Sequence, residues 1–168
     1  MFTTDEFAYF AYGSNMSARR LVARVPSARV VASGFVSGCR LAFDKISNDG
    51  SGKCDCENTG VAGDRVYGVI FGVAFRDRVV LDRLEGAGAG YEPKTVHVET
   101  NVCGLDALTY FATKKRFGLT PYHWYKRHVL IGAREAGLPA DYIRAIEAVA
   151  SVDDSQQSRA EKEARLYD

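Results

Sequence analysis

Residues 66–74 constrain the fold most, because they read Val-Tyr-Gly-Val-Ile-Phe-Gly-Val-Ala and are apolar on both faces of a strand. A run of this kind predicts a strand in the centre of the core. Gly68 and Gly72 lie on the same face, since strand side chains alternate, so another part of the chain can approach that face closely. With 168 residues, the chain has the length of one domain with a substantial core.

The rest of the chain predicts strands first and helices last. Before the central strand, the pattern predicts a strand over residues 7–12, a short helix capped by Ser17 that runs to Val25, a long β-type run over residues 29–43 and a loop over residues 44–60. After it, the pattern predicts a helix from Asp77 to Gly86, strands over residues 94–100 and 105–113, and helices over residues 121–136 and 139–150. Sequential strands followed by helices favour an α+β fold. We expect one domain over residues 1–152, then a polar segment over residues 153–168 that is either a frayed helix or a disordered tail.

A turn near the N-terminus is the first candidate for a binding site. Residues 10–16 read Phe-Ala-Tyr-Gly-Ser-Asn-Met, so an apolar strand runs into a small hydrogen-bonding turn that a helical segment follows. This layout directs backbone N–H groups and the Ser14 and Asn15 side chains at one point, which suits a carboxylate. The alternative is an ordinary strand-to-helix turn, which the local sequence favours because Gly-Ser-Asn is common turn material.

Glu85 is the second candidate, because it is predicted in the last turn of a helix. The helix macrodipole disfavours a negative charge there, and Leu81, Leu84 and the following glycine-rich segment shield the carboxylate from water. Both effects favour the neutral carboxylic acid, which suits a general acid/base. The alternative, a surface glutamate, is favoured by the local sequence alone. Tyr91, Tyr110 and Tyr125 are candidates for pocket hydroxyl groups, or for core residues with one polar end.

Several other classes of function are disfavoured by composition and motifs. Lys and Arg total 22 against 21 Asp and Glu, so no basic surface for nucleic acid or an anionic membrane is expected. No apolar run approaches the roughly 20 residues of a membrane span, and no signal peptide is recognised, so a cytoplasmic protein is expected. The glycine-rich segments at residues 50–53 and 86–90 lack the spacing of nucleotide-binding motifs, and Ser14 has no histidine partner in the nearby sequence.

The four cysteines predict free thiols. Cys54 and Cys56 form one Cys-x-Cys with no second pair, and the three histidines have no ligand spacing, so no metal site is expected. A Cys54–Cys56 redox pair is the less favoured alternative. No cofactor of any kind is expected.

Four ordered blocks of the sequence resemble the γ-glutamylcyclotransferase family. They are residues 10–16, residues 24–28 (Arg-Val-Pro-Ser-Ala), residues 81–86 (Leu-Asp-Arg-Leu-Glu-Gly) and residues 132–139 (Gly-Ala-Arg-Glu-Ala-Gly-Leu-Pro). The resemblance covers about residues 8–152, and residues 43–45 and 50–53 are similar to the bacterial branch. Residues 53–58, Lys-Cys-Asp-Cys-Glu-Asn, depart from many relatives, which leaves the substrate preference open.

The resemblance implies a small mixed β-barrel with flanking helices and a cofactor-independent reaction. A γ-glutamyl substrate would be converted to 5-oxoproline and a free amine or amino acid, with Glu85 as the catalytic proton shuttle. The glutamyl group would be bound by Tyr12, Gly13, Ser14 and Asn15, and the site would be lined by Tyr91, Tyr110 and Tyr125.

Two alternatives to this function remain at the level of sequence. One is an enzyme of the same fold that removes a γ-glutamyl group from a biosynthetic intermediate, and the other is a non-catalytic binder of small carboxylates. The expected partner is a small molecule, with neither nucleic acid nor membrane, and the sequence leaves a homodimer open.

Overall fold

A five-stranded mixed sheet organises the fold in the computed structural model, which describes residues 2–168. These residues contain seven strands: β1 (Glu6–Ala11), β2 (Arg29–Ser37), β3 (Cys39–Ile46), β4 (Gly52–Asn58), β5 (Arg65–Ala74), β6 (Tyr91–Val98) and β7 (Leu105–Ala112). The sheet has the order β2-β5-β1-β7-β6, and β3 and β4 form a separate antiparallel pair. Strand β1 lies in the middle, antiparallel to β5 and parallel to β7. The predicted α+β class is therefore confirmed.

In the described part of the chain, five α-helices flank these strands. They are α1 (Ala18–Arg24), α2 (Arg78–Glu85), α3 (His123–Glu135), α4 (Ala140–Ala148) and α5 (Gln157–Ala164). Ser17 caps α1 as predicted, because its side chain accepts a hydrogen bond from the backbone N–H of Arg20. Within residues 2–168, no helix combines the length and the apolar character that a membrane span requires.

The core lies around β5 and β1, as the apolar pattern of residues 66–74 predicts. Phe10 of β1 and Phe71 of β5 are fully buried. The predicted close approach occurs at Gly68, where a Cβ atom would lie 2.3 Å from the carbonyl oxygen of Ala11 and 2.7 Å from the ring of Phe10. A side chain at this position would therefore separate the two central strands.

The sheet curls without closing into a barrel, which corrects the barrel that the resemblance implies. Its edge strands β2 and β6 are joined by one bridge, in which Phe35 of β2 and Glu99, directly after β6, exchange two backbone hydrogen bonds of 2.9 Å. The pair β3–β4 stays outside the five-stranded sheet. The architecture is an open mixed sheet with flanking helices.

The predicted loop over residues 44–60 is wrong for most of its length. Strand β3 continues to Ile46, and β4 occupies Gly52–Asn58, so the connection between them spans only residues 47–51. Strand β4 is not recognised from the sequence because its residues are largely polar. One of them, Asp55, is nevertheless completely buried. Its carboxylate accepts hydrogen bonds from the backbone N–H of Ala112 at 2.8 Å and from Lys115 at 2.7 Å, which satisfies the buried charge.

The polar C-terminal segment contains a packed helix. Of the two alternatives predicted for residues 153–168, the structure has the helix α5, whose Glu163 pairs with Arg20 of α1 and with His128 of α3. Burial opposes ionisation of Glu163, but the hydrogen bond from His128 and the charge of Arg20 outweigh it and lower its pKa to about 2. The segment is therefore joined to the domain by an ion-pair network.

Replacement of Gly132 by alanine tests how tightly α3 packs on the N-terminal turn. A Cβ atom at Gly132 would lie 2.4 Å from the backbone nitrogen of Ser17 and 2.5 Å from Cβ of Met16. We expect Gly132→Ala to lower the free energy of unfolding by about 1–3 kcal/mol, because backbone atoms must move to admit the methyl group. Urea unfolding followed by circular dichroism measures this change.

The matched control is Gly63→Ala, because a Cβ at Gly63 meets nothing within 4 Å. This variant is expected to unfold at the urea concentration of the parent protein or slightly above it. Equal stabilities of the two variants would contradict the close packing of α3 on the turn.

Candidate active site

The N-terminal turn leaves the central strand at the position that the sequence predicts. After β1 ends at Ala11, residues 14–16 form one turn of 3₁₀ helix, closed by a 3.0 Å hydrogen bond from the N–H of Met16 to the carbonyl of Gly13. Met16 and Asn15 are buried, while Gly13 and Ser14 are partly exposed. The turn is therefore anchored by its last two residues and presents its first two to a cavity.

Glu85 is the final residue of α2, also as predicted. Gly86 ends the helix with a left-handed backbone, φ 70°, and its N–H and that of Ala87 bond to carbonyls of the last turn. The side chain of Glu85 is partly buried and points at the N-terminal turn, where its Oε1 accepts a 2.7 Å hydrogen bond from Asn15 Nδ2. The two sequence candidates, distant along the chain, thus meet in space.

Tyr9 provides a second hydrogen bond to the same carboxylate oxygen. Its hydroxyl donates to Glu85 Oε1 at 2.6 Å. Burial of the phenol, together with the negative charge of Glu85, raises the pKa of Tyr9 well above its ordinary value. Tyr9 therefore keeps its proton and acts as a fixed donor.

Arg24 sets the orientation of the Asn15 amide. Its Nη1 donates to Asn15 Oδ1 at 2.9 Å. Because a guanidinium group can only donate, the amide oxygen must face Arg24 and the amide nitrogen must face Glu85. Arg24, Asn15, Glu85 and Tyr9 form one chain of hydrogen bonds that holds the carboxylate in place.

Tyr9 and Asn15 both donate to the same oxygen of Glu85, Oε1. Among residues 2–168, none donates a hydrogen bond to Oε2. One oxygen is thus held by the protein, and the other is left to interact with a bound molecule.

All the site residues predicted from the sequence line one cavity. They are Tyr12, Gly13, Ser14, Asn15, Glu85, Tyr91, Tyr110 and Tyr125. The cavity has three further lining residues that the sequence analysis did not identify: Tyr9, Cys54 and Thr109.

The lining tyrosines contribute mainly ring surfaces to this cavity. Tyr91 donates its hydroxyl proton to the carbonyl of Cys54 at 2.6 Å, Tyr110 donates to Asp82 Oδ1 at 2.5 Å, and Tyr12 donates to the carbonyl of Tyr110. The hydroxyl of Tyr125 accepts a 3.0 Å hydrogen bond from the N–H of Cys54. These bonds fix the rings as walls of the cavity.

Cys54 is a neutral thiol inside the cavity. Burial raises its pKa to about 12, so it is protonated at neutral pH and a poor nucleophile. Cys54 and Cys56 are both free and buried in β4. Within residues 2–168, no group of three or more His, Cys, Asp or Glu side chains is placed to hold a metal ion.

Tyr9 and Cys54 were missed for different reasons. Tyr9 lies in an apolar strand and reads as core, although a buried tyrosine needs a partner for its hydroxyl, and that need was the available signal. Cys54 was assigned to a loop because the sequence of β4 is polar.

Comparisons with known proteins find relatives of this chain. A model of the AIG2-like family matches residues 65–146. The γ-glutamylcyclotransferase of Bos taurus is 28% identical over 152 residues, and that of Homo sapiens is 29% identical over 153 residues; each alignment covers 86% of this chain and 79% of the relative. A solved structure of a γ-glutamyl cyclotransferase superposes with a TM-score of 0.81 at 26% identity, covering 94% of this chain and 99% of that chain.

A double-mutant cycle tests the contact between Tyr9 and Glu85. A hydrogen bond to a charged acceptor is worth about 1 kcal/mol more than one to a neutral acceptor, so Tyr9→Phe and Glu85→Gln should couple by about this amount in the free energy of unfolding. Urea unfolding of the parent, both single variants and the double variant measures the coupling.

Tyr110 provides the control cycle, because its hydroxyl bonds to Asp82 instead of Glu85. Tyr110→Phe should couple to Asp82→Asn and be nearly additive with Glu85→Gln. If Tyr9→Phe were also additive with Glu85→Gln, the hydrogen bond that orients the carboxylate would be contradicted.

Proposed function

We propose that this γ-glutamylcyclotransferase-like protein converts a γ-glutamyl amino acid or amine to 5-oxoproline and the free amine. One observation carries the proposal. The Glu85 carboxylate is held by Tyr9 and Asn15 in the same cavity as the turn formed by Gly13, Ser14 and Asn15. The cavity therefore combines a proton-transfer group with a site suited to an amino acid end.

The reaction is an intramolecular acyl transfer. The α-amine nitrogen of the substrate attacks its own γ-carbonyl carbon, and the new carbon–nitrogen bond closes a five-membered ring. The bond from that carbon to the leaving nitrogen then breaks, which releases the amine and leaves 5-oxoproline. A well-oriented intramolecular nucleophile reaches an effective molarity on the order of 10⁵ M. This advantage requires that the substrate is held in the conformation that closes the ring.

The N-terminal turn is proposed to hold the glutamyl end. The backbone N–H groups at the start of the 3₁₀ turn have no hydrogen-bond acceptor within that turn. They are therefore suited to bind the α-carboxylate of the substrate. The tyrosine rings on the other side restrict the remaining carbons. Binding at these two places would fold the substrate so that its amine lies next to its γ-carbonyl.

Glu85 is proposed to move the proton that the reaction must transfer. The α-amine is an ammonium ion in water and becomes a nucleophile only after losing a proton, which Oε2 can accept. The leaving nitrogen must gain a proton before it departs, and the protonated Glu85 can supply it. One carboxylate thus acts first as general base and then as general acid, and no cofactor or water molecule is consumed.

Every residue in this mechanism comes from one chain, so the proposed chemistry can take place within one copy. We also propose a cytoplasmic location. It is supported by the four free cysteines, three of them buried, which suit a reducing compartment.

Replacement of Glu85 by glutamine tests the proton shuttle. We expect Glu85→Gln to lower kcat for 5-oxoproline release by a factor on the order of 10²–10⁴, because the amide cannot take up or return the proton. Mass spectrometry of 5-oxoproline from γ-glutamyl dipeptides and γ-glutamyl amines measures the rate.

Glu135→Gln is the matched control, because Glu135 is also the last residue of a helix but is exposed and outside the cavity. This variant should retain the parent rate. Full activity of Glu85→Gln would contradict the assigned role of Glu85, and absence of product from every substrate would contradict the proposed activity.

A further inference from the structure

The cavity that contains Glu85 adjoins a second space, which we call the outer chamber. The outer chamber has a volume of about 290 Å³. It shares with the inner cavity the residues Ser14, Asn15, Glu85, Tyr91 and Tyr125. With the glutamyl group in the inner cavity, the leaving group extends past Glu85 into the outer chamber.

Positive charge is concentrated around the outer chamber. Five basic side chains line it: Arg20, Arg24, Lys45, Lys53 and Arg83. In the described part of the chain, Glu85 is the only acidic residue that lines either space. The whole chain carries a formal net charge of only +1, so this concentration is local and does not reflect a basic protein.

Two of the five cations form ion pairs with carboxylates that do not line the outer chamber. Lys53 pairs with Asp49 at 3.2 Å, and Arg20 pairs with Glu163. Arg24, Lys45 and Arg83 have no carboxylate within 4.0 Å among residues 2–168. These three cations therefore lack a carboxylate in contact, although the charge of Glu85 acts on Arg24 and Lys45 from further away. With Asp49, Glu163 and Glu85 counted, the five cations exceed the nearby carboxylates by two.

Aromatic rings hold two of the lysines at the mouth of the inner cavity. The Nζ of Lys45 lies 4.8 Å from the centre of the Tyr91 ring, and the Nζ of Lys53 lies 4.3 Å from that of Trp124 and 4.5 Å from that of Tyr125. Burial lowers the pKa of both lysines, so each ammonium group has lost part of its hydration. An anion bound next to either ammonium group would restore this lost stabilisation.

We propose that the outer chamber selects a leaving group with at least two carboxylates, as in γ-glutamyl-glutamate or γ-glutamyl-aspartate. Any γ-glutamyl amino acid brings one carboxylate on its leaving group, which a single cation satisfies. An excess of two positive charges goes beyond that need and suits an acidic side chain as well. The same charges repel a leaving group with a cationic side chain. This inference rests on the proposed function and names its substrate class.

A matched set of three substrates tests the inference. The γ-glutamyl derivatives of glutamate, glutamine and lysine differ mainly in the charge at the end of the leaving side chain. We expect kcat/KM for the glutamate derivative to exceed that for the glutamine derivative by a factor on the order of ten, and the lysine derivative to be slowest. The glutamate-to-glutamine ratio should fall as sodium chloride is raised, because salt screens the chamber charges.

Two variants test whether the preference for the glutamate derivative arises at the outer chamber. Lys45→Gln and Arg83→Gln should each lower the glutamate-to-glutamine ratio roughly threefold, since each removes one positive charge that lacks a carboxylate in contact. Arg76→Gln is the control, because Arg76 is an exposed cation that lines neither space, and the ratio should not change.

The outcomes separate the inference from the proposed function. Release of 5-oxoproline with equal kcat/KM from all three substrates would overturn the charge preference and leave the cyclotransferase activity standing. A preference that is the same in Lys45→Gln, Arg83→Gln and Arg76→Gln would overturn the assignment to the outer chamber. No 5-oxoproline from any substrate would overturn the activity itself, and the inference with it.

Discussion

The site depends on the two hydrogen bonds that the side-chain amide of Asn15 makes. This amide joins the turn after β1 to the end of α2, 70 residues further along the chain, by accepting from Arg24 and donating to Glu85. A carboxylate in this place would repel Glu85, and an apolar side chain would leave Arg24 without its acceptor. An amide is needed because it has an acceptor and a donor on opposite sides of one planar group.

The order of the sheet brings the two ends of this hydrogen bond together. Strand β1 is central, so the turn that follows it emerges at the middle of the sheet, with β5 on one side and β7 on the other. The close packing of β5 against β1 depends on Gly68, and the packing of α3 against the turn depends on Gly132. Two glycines remote from the chemistry therefore fix the position of Asn15.

The sequence marked the turn and Glu85 as candidates, but the local pattern alone favoured an ordinary turn and a surface glutamate, and the family resemblance decided for a site. A glycine-containing turn after an apolar strand and a glutamate at a helix end are recognisable without a structure, and both lie in the cavity. For Tyr9 the signal is only the need of a buried hydroxyl group for a partner, and Cys54 carries none, because an inward-facing residue of a strand looks the same whether it lines a cavity or fills the core. Strand β4 was missed because the partners that neutralise Asp55 come from around β7, far away in the sequence.

Burial of the inner cavity narrows the choice of proton-transfer group to one residue. The tyrosines that line it all have raised pKa values, and the pKa of Cys54 rises to about 12, so none of these groups gives up its proton near neutral pH. Glu85 is the only carboxylate among the described lining residues. In the proposed mechanism, the walls that would hold the glutamyl group therefore leave Glu85 as the group through which a proton would pass between the two substrate nitrogens.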